Sequence, residues 1–143
     1  MDYFDRCITF VLKQEGGYVN DPRDAGGETN FGISKRAYPG LDIKALTVEQ
    51  AKEIYSFDYW LKAGCDKLAW PDCLVVFDTA INMGVGRAKV FEAAALNWSD
   101  FLFMRIEHYV GLNQPAFLRG WINRCLALWR EAKIPTDEHP GPE

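Results

Sequence analysis

A carboxylate that ends an apolar helical stripe and runs straight into a loop dense in glycine and further acids is what general acid/base chemistry needs. Glu15 holds that place in the run Glu15-Gly16-Gly17-Tyr18-Val19-Asn20-Asp21-Pro22-Arg23-Asp24-Ala25-Gly26-Gly27-Glu28-Thr29-Asn30-Phe31-Gly32-Ile33. Hydrolysis of a glycosidic bond takes one protonated carboxyl to protonate the leaving oxygen and a second, ionised group to activate water or stabilise the developing positive charge. Glu15 and Asp24 are the candidates for that pair, Glu15 as the acid. Asp24, flanked by Arg23 and by glycines that leave room for water and a sugar ring, suits the ionised partner, with Thr29 placed to share the water and Asp21 as a rival second carboxylate. The same residue types also suit a plain helix end and ordinary turns, in which Asp21 and Asp24 bond their own backbone. A calcium loop built from Asn20, Asp21, Asp24, Glu28 and Thr29 would break the EF-hand spacing, and the glycine-rich stretch lacks the Gly-Lys-Ser/Thr ending of a phosphate loop. No metal or cofactor is expected. His108 and His139 are isolated and read as surface residues.

The elements that must position these groups are mostly helical. Phe4, Ile8, Val11, Leu12 and Glu15 repeat at helical spacing, so a first helix is predicted over about 2–15, with Glu15 on its buried face in the last turn and Gly16-Gly17 as its cap. Residues 18–33 are too rich in glycine, proline and acids for a continuous helix and are expected to hold short strands or a hairpin. Thr47 with Gln50 is a capping box that opens a helix over about 47–62. Pro71 is predicted as the first residue of a helix over 71–83 closed by Gly84 and Gly86. On that helix Leu74, Phe77 and Ile81 form the core stripe, and Asp78 and Asn82 lie one turn apart along its edge, two polar groups in need of partners. Further helices are predicted over about 87–96, 99–111 and 115–132, the last with Leu118, Trp121, Ile122, Cys125, Leu128 and Trp129 on one face. The stretch 134–143 carries three prolines and reads as a frayed tail.

Composition bounds the answer. A chain of 143 residues with 48% hydrophobic content can bury one core, so a single domain over 1–133 is expected. Residues 86–133 carry 7 basic against 4 acidic side chains within a chain of net charge −4. That is far from the basic stripe of a nucleic-acid binder, and nucleic acid is not an expected partner. Cys7, Cys65, Cys73 and Cys125 show no metal-ligand or redox spacing and read as reduced core thiols of a chain made in the cytosol. The acidic start and the lack of a long apolar run predict neither a secretory leader nor stable membrane insertion.

The motif residues also carry a resemblance. Glu15-Gly16-Gly17-Tyr18-Val19-Asn20-Asp21-Pro22 with Asp24, Gly26-Gly27, Thr29 and Gly32-Ile33 resembles the Glu-Gly-Gly-Tyr signature of glycoside hydrolase family 108, N-acetylmuramidases found as phage endolysins and secretion-associated lysozymes. The likeness continues in Tyr59-Trp60, in Phe77-Asp78-Thr79-Ala80-Ile81-Asn82-Met83-Gly84 and in Phe117-Leu118-Arg119-Gly120-Trp121-Ile122-Asn123-Arg124. It implies a lysozyme-like helical domain with an irregular or short-stranded catalytic loop after the first helix, and it makes Glu15 the essential residue. It further implies cleavage of the β-1,4 bond between N-acetylmuramic acid and N-acetylglucosamine in peptidoglycan. With no secretory leader expected, the chain would reach the wall or periplasm through a phage holin or a secretion system, and a monomer is expected.

A second likeness, to phage lysozymes with a Glu-Asp-Thr triad, matches the spacing from Glu15 to Asp24 and departs by one residue at Thr29. The segment around 86–100 is shorter than the peptidoglycan-binding module of the family and reads as truncated. Sugar contacts would then fall to Tyr18, Asn20, Tyr59, Trp60, Asp78 and Asn82, although Asp78 and Asn82 equally suit anchors for the motif loop. Trp121 is a further aromatic that could face a sugar, but for Trp121 and Trp129 core packing is the expected role. A lytic transglycosylase and a catalytically inactive wall-binding module are the alternative readings.

Overall fold

The structure, a computed structural model, describes residues 2–136. Among them are six α-helices, α1 (Phe4–Gln14), α2 (Val48–Tyr55), α3 (Asp72–Met83), α4 (Val85–Ala94), α5 (Trp98–Gly111) and α6 (Pro115–Ala132), and one antiparallel pair, β1 (Thr29–Asn30) and β2 (Ile33–Ser34). The expected mostly α, lysozyme-like class is what is found.

A helix that is apolar on every side belongs in the middle of a fold, and α3 is that helix: each side chain from Cys73 to Ala80 is buried. Around it pack α1, α4, α5 and α6. The sequence pattern predicted a stripe with Asp78 on its edge; the structure instead puts Asp78 inside, with no exposed surface. Phe4, Trp60 and Phe77 form an edge-to-face aromatic cluster, with Trp60 5.2 Å from Phe77 and 5.5 Å from Phe4. Such pairs add about 0.5–1.5 kcal/mol each beyond the area they bury. All four cysteines are buried and free. Cys7 and Cys73 bring their sulfurs to 4.0 Å, and burial pushes the Cys7 thiol up.

Local signals explain most boundaries. The Thr47 capping box forms in full, Thr47 Oγ1 accepting from the Gln50 amide at 3.2 Å and Gln50 Oε1 from the Thr47 amide at 2.9 Å, an arrangement worth about 1 kcal/mol. The helix it opens continues past Tyr55 as a π-helical turn over Ser56–Leu61. Asn97 caps α5 through the amides of Ser99 and Asp100, leaving residues 95–97 as the whole connection from α4. Pro71 precedes α3 rather than opening it.

The end of α1 differs from the expectation in a way that matters. The helix stops at Gln14, and Glu15 already has extended backbone, φ −77° and ψ 148°, while its amide still donates to the Val11 carbonyl at 2.9 Å. Gly16 and Gly17 do not take the left-handed conformation of a glycine cap. The turn out of the helix is therefore made at Glu15 itself, and its side chain stands at the junction of helix and loop.

The loop then folds back as a hairpin, with Thr29 opposite Ser34 and Asn30 opposite Ile33. Its two turn residues, Phe31 and Gly32, have φ of 52° and 79°, positive at both positions as a two-residue turn matched to strand twist requires. Val19 bridges the outer side of Thr29 through two 2.8 Å backbone bonds. Buried Asn30 donates from Nδ2 to the Ile43 carbonyl at 3.0 Å and ties the hairpin to the segment before α2. The first residues of the predicted tail are tied as well: the Ile134 carbonyl accepts from Arg6 Nη2 and Trp70 Nε1, both at 3.0 Å. The rest of that tail, with His139, lies outside the described residues. No described helix is long and apolar enough to cross a membrane.

Candidate active site

Glu15 meets a cation 109 residues further along the chain. Arg124 Nη1, from α6, donates to Glu15 Oε1 at 2.8 Å, with the carboxylate side chain 22% exposed. The same guanidinium grips Asp78 from its other edge, Nη2 to Oδ1 at 2.7 Å and Nε to Oδ1 at 3.1 Å. Asp78 Oδ2 accepts a 2.8 Å bond from Nη1 of Arg105 on α5, which also donates to Thr79 Oγ1 at 3.0 Å. Two carboxylates and two guanidinia thus alternate from the core to the surface in the order Arg105, Asp78, Arg124, Glu15. Asp78 and Arg105 are both fully buried. Burial pushes the Asp78 carboxyl up, but the charges and hydrogen bonds of Arg105 and Arg124 outweigh it and hold Asp78 below its ordinary value. Arg124, for its part, is pushed down by burial and, more strongly, up by Asp78 and Glu15, so it stays a cation.

On the opposite side Glu15 is touched by the hairpin turn. A Cβ at Gly32 would fall 2.7 Å from Glu15 Cγ, 2.8 Å from its Cδ and 2.6 Å from Tyr55 Oη. Only glycine leaves that room and accepts that φ. Tyr55 Oη donates to the Phe31 carbonyl at 2.7 Å and so pins the turn against the carboxylate. Burial first, then the charge of Glu15, pushes the Tyr55 hydroxyl up, which keeps it a neutral donor. Gly32→Ala is expected to lower turnover by at least about tenfold, the cost of a displacement near 1 Å at a reacting group, and to lower the melting temperature. Gly40→Ala, where an added Cβ meets nothing within 4 Å, is the control. Equal rates for the two variants on the same substrate would show that the turn does not set the position of Glu15.

The other candidates are distributed as follows. Asp24 is exposed, and its Oδ1 accepts from the Gly26 amide at 2.9 Å in a turn; Oδ2 has no protein partner among the described residues. Arg23, expected beside Asp24, pairs instead with Asp21 through Nε at 3.0 Å and Nη2 at 2.9 Å, and these bonds lower the Asp21 carboxyl. Thr29 exchanges both backbone hydrogen bonds with Val19 and lies opposite Ser34 in the hairpin. Tyr18, 37% exposed, donates to Glu28 Oε2 at 2.6 Å, a bond that pushes its phenol up, and Asn20 is exposed nearby in the loop. Tyr59 is half-buried, its ring 5.7 Å from that of Tyr55.

Two expectations are corrected by burial. Trp60 is 3% exposed and packs in the aromatic core, which leaves it no face for a sugar. Asp78 is sealed beneath Arg124, and the exposed Asn82 spends its amide on Asp78, donating to the backbone carbonyl at 2.8 Å and to Oδ2 at 3.3 Å. Asp78 therefore has no surface to offer a sugar, and Asn82 braces it from the next turn. Trp129, expected in the core, is 40% exposed with the Lys133 ammonium 3.8 Å over its ring.

Arg124, Arg105, Tyr55 and Gly32 were absent from the candidate set. A signal for the arginines existed: an acid inside the apolar helix 71–83 and a base inside the apolar helix 99–111 both need partners when buried. Two cavities of about 240 and 360 Å³, one between α5 and α6 and one between α1 and α6, do not include Glu15 in their lining.

A family model described as Glycosyl hydrolase 108 matches residues 8–84, a stretch that takes in Glu15, the hairpin and Asp78 and more than half of the 143 residues. The chain belongs to glycosyl hydrolase family 108. The structure of Brucella abortus SagA is similar throughout, with a TM-score of 0.81 at 25% identity over 94% of this chain and 97% of that one. No curated protein matches. For this family 108 chain the reaction class is hydrolysis of a glycosidic bond. The α5 and α6 residues that hold Glu15 and Asp78, Arg105 and Arg124, lie beyond the matched stretch.

Proposed function

We propose that the chain is an N-acetylmuramidase that hydrolyses the β-1,4 bond between N-acetylmuramic acid and N-acetylglucosamine. The observation that carries this reading is the placement of Glu15, partly exposed, at the helix-to-loop junction, gripped on one oxygen by Arg124 and backed by the Gly32 turn. Arg124 occupies Oε1, which leaves Oε2 for the proton that Glu15 hands to the leaving glycosidic oxygen. Arg124 is a positioning residue, and Asp78 and Arg105 fix it from the core. Asp24 is the second carboxylate, because its Oδ2 is available to activate water, whereas both oxygens of Asp21 are engaged by Arg23. Thr29 assists at the water, and Tyr18, Asn20 and Tyr59 contact the sugars. The chain acts as a monomer without a cofactor, on wall reached through a holin or a secretion system, and the phage endolysin role fits that route.

Mass spectrometry of the fragments released from purified peptidoglycan tests the reaction. Hydrolysis leaves muramic acid reducing ends; 1,6-anhydro ends would replace the hydrolase by a lytic transglycosylase, which uses one glutamate and no water. The division between the aspartates is tested by turnover. Asp24→Asn is expected to lose at least about a hundredfold and Asp21→Asn to stay within about threefold, since an exposed ion pair contributes little. The reverse order transfers the role to Asp21.

A further inference from the structure

The stripe of α6 that delivers Arg124 to Glu15 continues toward the helix start. Phe117, Gly120, Trp121 and Arg124 stand at i, i+3, i+4 and i+7, on one face. On α5 Arg105 and Tyr109 are likewise one turn apart. The two helices therefore meet in layers: Arg105 and Arg124 share Asp78, then the Trp121 ring stacks on Tyr109 at 4.7 Å and 16°, then Phe117 stacks on Trp121 at 5.7 Å and 25°. Exposure rises along this ladder from Tyr109 at 4% to Phe117 at 58%. Beside it Gly120 is exposed, and a Cβ there would meet nothing within 4 Å.

Glycine inside a helix is destabilising, and here neither a positive φ nor a close neighbour explains it. An open backbone shelf bordered by aromatic rings on one side and by the arginine of the acid site on the other has the shape of a ligand platform. We propose that Phe117, braced from behind by Trp121, and the Gly120 shelf bind a sugar ring of the glycan strand that reaches Glu15, its apolar face on the Phe117 ring that ends the ladder and its edge over the bare backbone. Continuity through Arg124 with the catalytic carboxylate selects this occupant. The proposal rests on the peptidoglycan reading above.

The experiment uses the full chain carrying Glu15→Gln, so that substrate is held and not cut, and measures its co-sedimentation with purified peptidoglycan sacculi. Gly120→Leu added to it is expected to weaken binding about tenfold by filling the shelf, a loss equivalent to roughly one aromatic contact. Its melting temperature should be equal or higher, because leucine is the better helix former in open space. Phe117→Ala is expected to weaken binding about threefold, and Phe117→Tyr to restore it. A purely structural stripe predicts the opposite pairing for Gly120→Leu, higher stability with binding intact. That result, or a Glu15→Gln parent that does not sediment with sacculi, overturns the platform. Failure of the hydrolase reading shows separately, as the absence of released muropeptides from the unsubstituted chain.

Discussion

The Glu15→Gln protein is expected to lose between about a hundredfold and ten-thousandfold of its turnover on peptidoglycan, the range that a positioned general acid supplies. The amide keeps a carbonyl oxygen where Oε1 accepts from Arg124 at 2.8 Å, and it is nearly the same size against Gly32, so the site stays assembled. What it lacks is a proton to give. The charge removed belongs to a partly buried pair, but Arg124 keeps Asp78 as its counter-ion and the amide keeps the hydrogen bond, so the cost should be about 1 kcal/mol. Melting should therefore move by only a few degrees, about the shift that 1 kcal/mol produces in a domain of this size. Turbidity loss of sacculi and calorimetry on the same preparation check both halves. Undiminished lysis at unchanged stability would remove Glu15 from the chemistry.

Asp78→Ala should produce the largest loss of stability of any single change in the site, about 3–5 kcal/mol, or on the order of ten degrees in melting temperature. The reason is the charge left behind. Arg105 is fully buried, its Nη1 bonds only Asp78 and Thr79, and its Nε and Nη2 are buried without hydrogen-bond partners among the described residues. Remove Asp78 and a guanidinium stands in the core with the Thr79 hydroxyl and the Tyr109 ring, 5.6 Å away, but no counter-charge of its own. Arg124 loses its anchor at the same time, so turnover should fall beyond what lost folded protein explains.

The pH dependence has a definite sign. The folded Asp78 carboxyl titrates below its ordinary 3.8, so between those two values the unfolded chain binds more protons. The stability it contributes is complete above the ordinary value and is lost as pH falls through the lower folded one. Denaturant midpoints measured from pH 5 down to pH 2 should therefore fall less steeply for Asp78→Asn than for the unsubstituted chain. A stable, active Asp78→Ala protein would show that the buried pair is dispensable.

Periodicity and caps placed the helices well because those signals are local. The stripe of Phe4, Ile8 and Val11, the Thr47 box and the glycine at 84 each act within a turn or two of themselves. The end of α1 departs from the pattern by one residue for the same reason in reverse: Gly16-Gly17 offers a cap that the chain does not use, and Glu15 makes the turn. The pattern puts Asp78 at an edge because a stripe shows which side of a helix is apolar, not how many neighbours surround it. With α1, α4, α5 and α6 all packed on α3, no edge is left along residues 73–80.

By itself the sequence determined the helical class, the reducing state expected of the thiols, and the carboxylate proposed as the acid, since the run from Glu15 to Ile33 is contiguous and its meaning lies in its own spacing. Tertiary structure alone decided what holds that carboxylate. Arg124 reaches Glu15 across 109 residues, Asp78 is buried by helices from both halves of the chain, and Arg23 chooses Asp21 over Asp24 by the turn between them. Ion pairs are settled by distances of a few ångströms and by exclusion of water, and neither quantity is written along the chain before it folds.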